Sequence, residues 1–149
     1  MVSKRKLVTA AVLLVSLIAQ YIWQELGGGD QFKTGSTGAG ADTLSEAFER
    51  KQSDVQIQGE GEVVSILSDD NEGSRHQRFI LGFGSGQTVL VAHNIDLAPR
   101  IDAIRKGDLI EFYGEYEWNS KGGVIHWTHH DPRGNHVDGW LKHEGKTYK

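Results

Sequence analysis

The feature that most constrains this chain is a stretch of thirteen residues, 55–67, VQIQGEGEVVSIL. It reads as one long strand, yet Gly59 and Gly61 interrupt it. Glycine within a strand marks a bulge or a sharp coil. A strand that curls at its middle serves two halves of a small barrel, pairing with different neighbours along its length.

Turn chemistry divides the rest into four further strands. Residues 68–74, SDDNEGS, form a turn by composition. Residues 76–83 form a second strand, and Gly84-Ser85-Gly86 closes a tight hairpin into a third, 87–95. A longer connection, 96–107, has Pro99 near its start and room for one helical turn over 100–106. Residues 108–118 form a fourth strand, NSKGG at 119–123 a turn, and 124–130 a fifth strand. In the fourth, Ile110, Phe112, Gly114, Tyr116 and Trp118 share one face. Leu109, Glu111, Tyr113, Glu115 and Glu117 share the other, more acidic one. A glycine-coiled first strand, a three-strand meander, a longer connection and a final hairpin predict a mainly β fold. The specific expectation is a five-stranded Greek-key barrel of the oligonucleotide/oligosaccharide-binding (OB) type over 55–149.

What precedes the barrel has a different composition. Lys4, Arg5 and Lys6 lead into residues 7–23, LVTAAVLLVSLIAQYIW, seventeen residues without a charge. As a helix that run spans about 26 Å, near the lower limit for crossing a bilayer. Tyr21 and Trp23 suit the membrane interface. Residues 1–26 therefore read as an inner-membrane anchor, with the basic end cytoplasmic and the rest of the chain in the periplasm or otherwise outside the cytoplasm. If 1–26 is instead a cleaved signal, the same domain is secreted. Residues 27–42 hold six glycines in sixteen positions and read as a flexible linker. Thr43 and Glu46 fit a capping box that predicts a short helix within 43–54.

Charge excludes some partners. The formal net charge is −4, and residues 55–149 carry ten basic and fourteen acidic side chains together with all seven histidines. That balance counts against nucleic acid, whose binding relies on Lys and Arg at phosphates. There is no cysteine, so thiolate metal sites, cysteine nucleophiles and disulfides are excluded.

The chemistry-bearing residues concentrate in HWTHHDPRGNH, residues 126–136. Pro132 stops any helix at Asp131, so His126 and His130 are not a helical metal-binding pair. On a strand they stand about 13 Å apart, too far to share an ion. Asp131-Pro132-Arg133-Gly134 is a type I turn signature, and such a turn brings His129 or His130 back towards Asn135 and His136. Three readings stay open. One is a strand end whose polar groups bond locally. Another is a site for a divalent transition metal drawn from His126, His129, His130, Asp131 and His136. The third is a metal-free ligand or acid–base site. Residues 139–143 return as a further strand or a lid. Arg75 and Arg78 are candidates to hold an anion, and His93 ends the third strand, where it reads as a pocket residue or a satisfied core histidine. Asp69 to Gly73 lacks the spacing of a calcium loop and reads as a plain turn.

GEGEV, DDNEGSRHQRFIL, GQTVLVAHNIDLAPRI, GDLIEFYGEYEWN, KGGVIHWTHHDPRG and GWLKHEGKTY resemble the bacterial domain-of-unknown-function family 3465 over residues 58–148. The resemblance implies a small exported or membrane-anchored protein and carries no activity or catalytic residue. The residues themselves support two functions. One is a tethered binding module for a small anionic or oligomeric ligand or an envelope protein, with a surface rimmed by Arg75, Arg78, His93, Trp127 and His129. The other is a metal-dependent hydrolase of the nuclease or phosphoesterase kind, using the cluster at 126–136.

Overall fold

The computed structural model describes residues 39–149; the anchor expected at 1–26 and most of the linker lie outside them. Among these residues one helix, α1 (Ala39–Glu49), precedes seven strands: β1 (Val55–Ile66), β2 (His76–Gly82), β3 (Thr88–Asn94), β4 (Leu109–Glu117), β5 (Val124–His126), β6 (Trp140–His143) and β7 (Lys146–Tyr148).

The strands join in the order β1-β2-β3-β5-β4, and β4 pairs back onto β1, so five strands close a barrel. β3 and β5 run parallel and the other pairs antiparallel. This is the expected OB-like Greek key. β1 closes it as its glycines predict. Residues 55–62 pair with β4 and residues 62–66 with β2, with Glu62 opposite both Leu109 and Gly82 and a register shift between Val63 and Ser65.

Gly59 leaves room for the Phe112 ring, since a Cβ there would sit 2.9 Å from Phe112 Cζ. The same bare backbone receives α1, whose Gly40 packs directly on Gln58 and Gly59. Leu44 and Ala47 carry the helix into the core formed by Ile57, Val63, Phe79, Leu81, Phe83, Val91, Ile101, Ile110, Phe112, Tyr116, Ile125 and Leu141. Phe83 and Phe112 meet edge to face at 6.3 Å.

Three expectations need correcting. The helix spans Ala39–Glu49 and is already under way at Thr43, so Thr43 is not its N-cap, and Gly40 packs it directly on Gln58 and Gly59. The connection 96–107 is built of turns, without a helical turn. β5 stops at His126, not residue 130, because Trp127 adopts a left-handed backbone, φ 52°, which ends the ladder. Of the two alternatives for residues 139–143, the structure shows the strand: β6 pairs with β4 and is extended by β7.

Candidate functional site

The alternation of β4 places Ile110, Phe112 and Tyr116 in the core, while Glu111, Tyr113, Glu115 and Glu117 line the outer wall. Its neighbours set what meets that row. The tight 119–123 turn, in which Asn119 Oδ1 accepts from Lys121 N and Gly123 N, brings β5 back with Glu117 opposite Val124. His126 then falls directly opposite Glu115. Further along the same edge of β4, whose other edge is taken by β1, Trp140 lies opposite Tyr113, and Lys142 pairs with Glu111 at 2.8 Å.

The centre of this row is a group of two carboxylates and an imidazole. One donor atom each from Glu115, Glu117 and His126 lies within 4.8 Å of the others. Their side chains are 17%, 15% and 21% exposed. His126 Nε2 stands 3.4 Å from Glu115 Oε1 and 3.9 Å from Glu117 Oε1, ion-pair distances without hydrogen-bond geometry, so this buried nitrogen has no hydrogen-bond partner. Burial opposes the charged imidazolium, but the two carboxylates outweigh it and hold His126 above its ordinary value. The same imidazole holds Glu117 below its usual range against the effect of burial. Asp54 is pushed up by the negative charge of Glu117 and by its own desolvation.

The loop after β5 folds over this group. Trp127 stacks on His136 with ring centroids 3.7 Å apart and planes at 15°. His136 Nδ1 reaches within 3.6 Å of Glu115 Oε2. Asp131 accepts from the backbone N–H groups of Arg133, Asn135 and His136, and these bonds hold its carboxyl below the usual range. Gly134 N donates to Asp131 O at 3.0 Å, which closes the expected turn. Gly139 brings the loop back where no side chain fits: a Cβ there would collide with the carbonyl oxygens of Trp127 and Tyr113.

The five residues considered for metal therefore separate. His126 and His136 face Glu115 from two sides. Asp131 is occupied as the loop's backbone acceptor. His129 is buried with Nδ1–H donating to the His130 carbonyl at 2.7 Å, and exposed His130 bonds Asp138 at 2.6 Å. Of the residues considered for ligand, Trp127 and His129 have rings 5.4 Å apart. His93 lies inside the barrel wall, where its ring bonds Thr128 Oγ1 at 2.8 Å and the Pro99 carbonyl at 3.2 Å. Arg75 is paired with Asp96 at 2.7 Å, and Arg78 Nε donates to the Ser68 carbonyl at 2.9 Å. Glu115, Glu117, Tyr113 and Trp140 were not singled out from the sequence. Their signal was the acidic face of the fourth strand combined with the hairpin register.

Residues 29–149 match the family model described as protein of unknown function (DUF3465). No curated protein matches the chain.

Proposed function

Because the chain belongs to the DUF3465 family, whose description assigns no activity, its function has to be read from the site, and we propose that it is a membrane-tethered binding module of the cell envelope. Residues 1–26 serve as its anchor, and the barrel lies outside the cytoplasm. Its working surface is the outer wall of β4 with the flanks from β5, β6 and the 127–139 loop. Its ligand is a hydroxyl-rich oligomer of the envelope, a glycan.

The observation that carries this reading is one continuous strip. The stacked Trp127 and His136 rings approach Glu115 from one side. Tyr113, two residues earlier on β4, and its cross-strand partner Trp140, rings 6.3 Å apart, continue the strip along the same edge. Half-exposed rings offer flat apolar area to sugar C–H faces, and carboxylates between them accept from hydroxyl groups. An anionic ligand is less well supported, because Arg75 and Arg78 are already engaged and the strip is acidic. A metal-dependent hydrolase is the second reading. Its support is the carboxylate pair Glu115 and Glu117 beside His126.

The test is a titration of tryptophan fluorescence with soluble fragments of envelope glycans, alongside co-sedimentation with insoluble cell-wall material. Saturable binding weakened at least about tenfold by Trp140→Ala, with the circular dichroism spectrum unchanged, supports the module; a tenfold change corresponds to about 1.4 kcal/mol. Absence of binding to every glycan class removes it. Breakdown of the fragments during the titration selects the hydrolase.

A further inference from the structure

We propose that Glu115, Glu117 and His126 form a binding site for a divalent first-row transition metal of the zinc or manganese class. It is a different site from the histidine set drawn from the sequence, and it shares only His126 with it. Two carboxylate oxygens and one imidazole nitrogen are a donor set that such ions accept.

The geometry is close to what an ion requires. Three ligands about 2.1 Å from a common ion lie about 3.0–3.5 Å from one another. His126 Nε2 and Glu115 Oε1 are already 3.4 Å apart. Glu117 Oε1 is 3.9 Å from the same nitrogen, and all three donor atoms fall within 4.8 Å. Closing the set therefore takes a contraction of about 1 Å between the donor atoms.

The scaffold is rigid. Glu115 and Glu117 are two residues apart on one strand, and His126 is the cross-strand partner of Glu115. The imidazole nitrogen that would bind is buried without a hydrogen-bond partner, as are four other side-chain nitrogens among the described residues, and it alone of these lies 3.4 and 3.9 Å from a pair of carboxylates. A buried unpaired imidazole nitrogen is costly, and an ion satisfies it. A group beyond the three is in place to orient them. His136 Nδ1 approaches the far oxygen of Glu115 at 3.6 Å. Among the described ion pairs, Glu115 and Glu117 meet histidines, whose shared proton a metal can displace and which it can take as ligands.

The experiment uses the full-length chain in detergent, purified without a metal-affinity tag and stripped with a chelator. Zn²⁺ is titrated calorimetrically, and Co²⁺ by its visible absorption. The expected result is one equivalent bound, with cobalt bands showing nitrogen–oxygen coordination. Glu117→Gln and His126→Gln each weaken binding by more than about 100-fold, because surrounding groups alone are worth about 10- to 100-fold. His130→Ala leaves it unchanged. A folded wild type that takes up neither ion stoichiometrically overturns the proposal. So does uptake that survives both substitutions, or that is lost in His130→Ala. The wild-type titration decides the matter even if a variant fails to fold. Since the ion alone is the probe, a metal-free protein leaves glycan binding to its own titration.

Discussion

His93 makes this barrel sensitive to acid, and the size of the effect follows from its surroundings. The ring is fully buried. Its Nε2–H donates to the Pro99 carbonyl, and its Nδ1 accepts from the Thr128 hydroxyl, an arrangement that suits the neutral imidazole. Burial depresses its pKa from 6.5 to about 4. The folded value lies below the unfolded one, so the unfolded chain takes up the proton first on acidification. The stability contribution is fully present above pH 6.5 and is lost as the pH falls towards about 4. A difference of about 2.5 units at 1.36 kcal/mol each gives a loss of about 3 kcal/mol. Urea unfolding followed by tryptophan fluorescence, with chelator present, measures it at steps from pH 7 to pH 4 for wild type and His93→Gln. Carboxylates and the other histidines titrate in both proteins and cancel in the comparison. The stability gap between the two proteins should narrow by about 3 kcal/mol across that range. A gap constant to within about 0.5 kcal/mol would refute the buried neutral histidine.

Three further outcomes are expected. Asp131→Ala removes the acceptor of three backbone N–H groups and loosens the 131–138 loop, so trypsin should cut at Arg133 faster while the melting of the barrel changes little. Gly139→Ala forces a methyl group against the Trp127 and Tyr113 carbonyls; it should cost about 1–3 kcal/mol in urea unfolding and shift the Trp127 emission. Tyr116→Phe deletes the hydroxyl that donates to the Gly122 carbonyl in the core, where burial pushes the phenol up to about 12. Its cost should be near 1 kcal/mol by the same assay, and spectrophotometric titration should lose one late-ionising tyrosine.

The barrel was legible because its signals are local. Glycines at 59 and 61 marked the coil in β1, GSG and NSKGG marked the hairpins, and period-two alternation assigned the faces of β4. The site was less legible because it depends on register. Glu115 and Glu117 were visible as an acidic face, and His126 as a histidine in a strand. Only counting back across the 119–123 turn, from Glu117 opposite Val124 to Glu115 opposite His126, joins them. The dense run of histidines after residue 126 drew attention in sequence, but the chain leaves the ladder at Trp127 and sends His129 inward and His130 to solvent. No propensity announces a tryptophan with positive φ. That conformation persists only where surrounding contacts, here the His136 stack, over-determine it.

Two departures from cheap folding coincide on the outer wall of the barrel. Half-buried Glu115 and Glu117 share one small space, with Asp54 alongside Glu117, and like charges so placed oppose one another. Trp127, next in sequence to His126, holds a left-handed backbone that is unfavourable by about 1–2 kcal/mol for a side chain of its kind. Neither is needed to close the barrel. The core is complete on the other side of β4, and β-branched residues at 115 and 117 would serve the strand better than glutamates. His93, Asp131 and the Asp69–Arg100 pair show how this chain treats polar groups with purely structural work: each is bonded to defined partners. Five buried side-chain nitrogens among the described residues have no such partner, and of these His126 Nε2 is the one that faces the two carboxylates, where charge and backbone strain are also concentrated. Local costs that stability does not require, gathered where an unpartnered imidazole nitrogen faces two carboxylates, support the proposal that this wall meets a ligand.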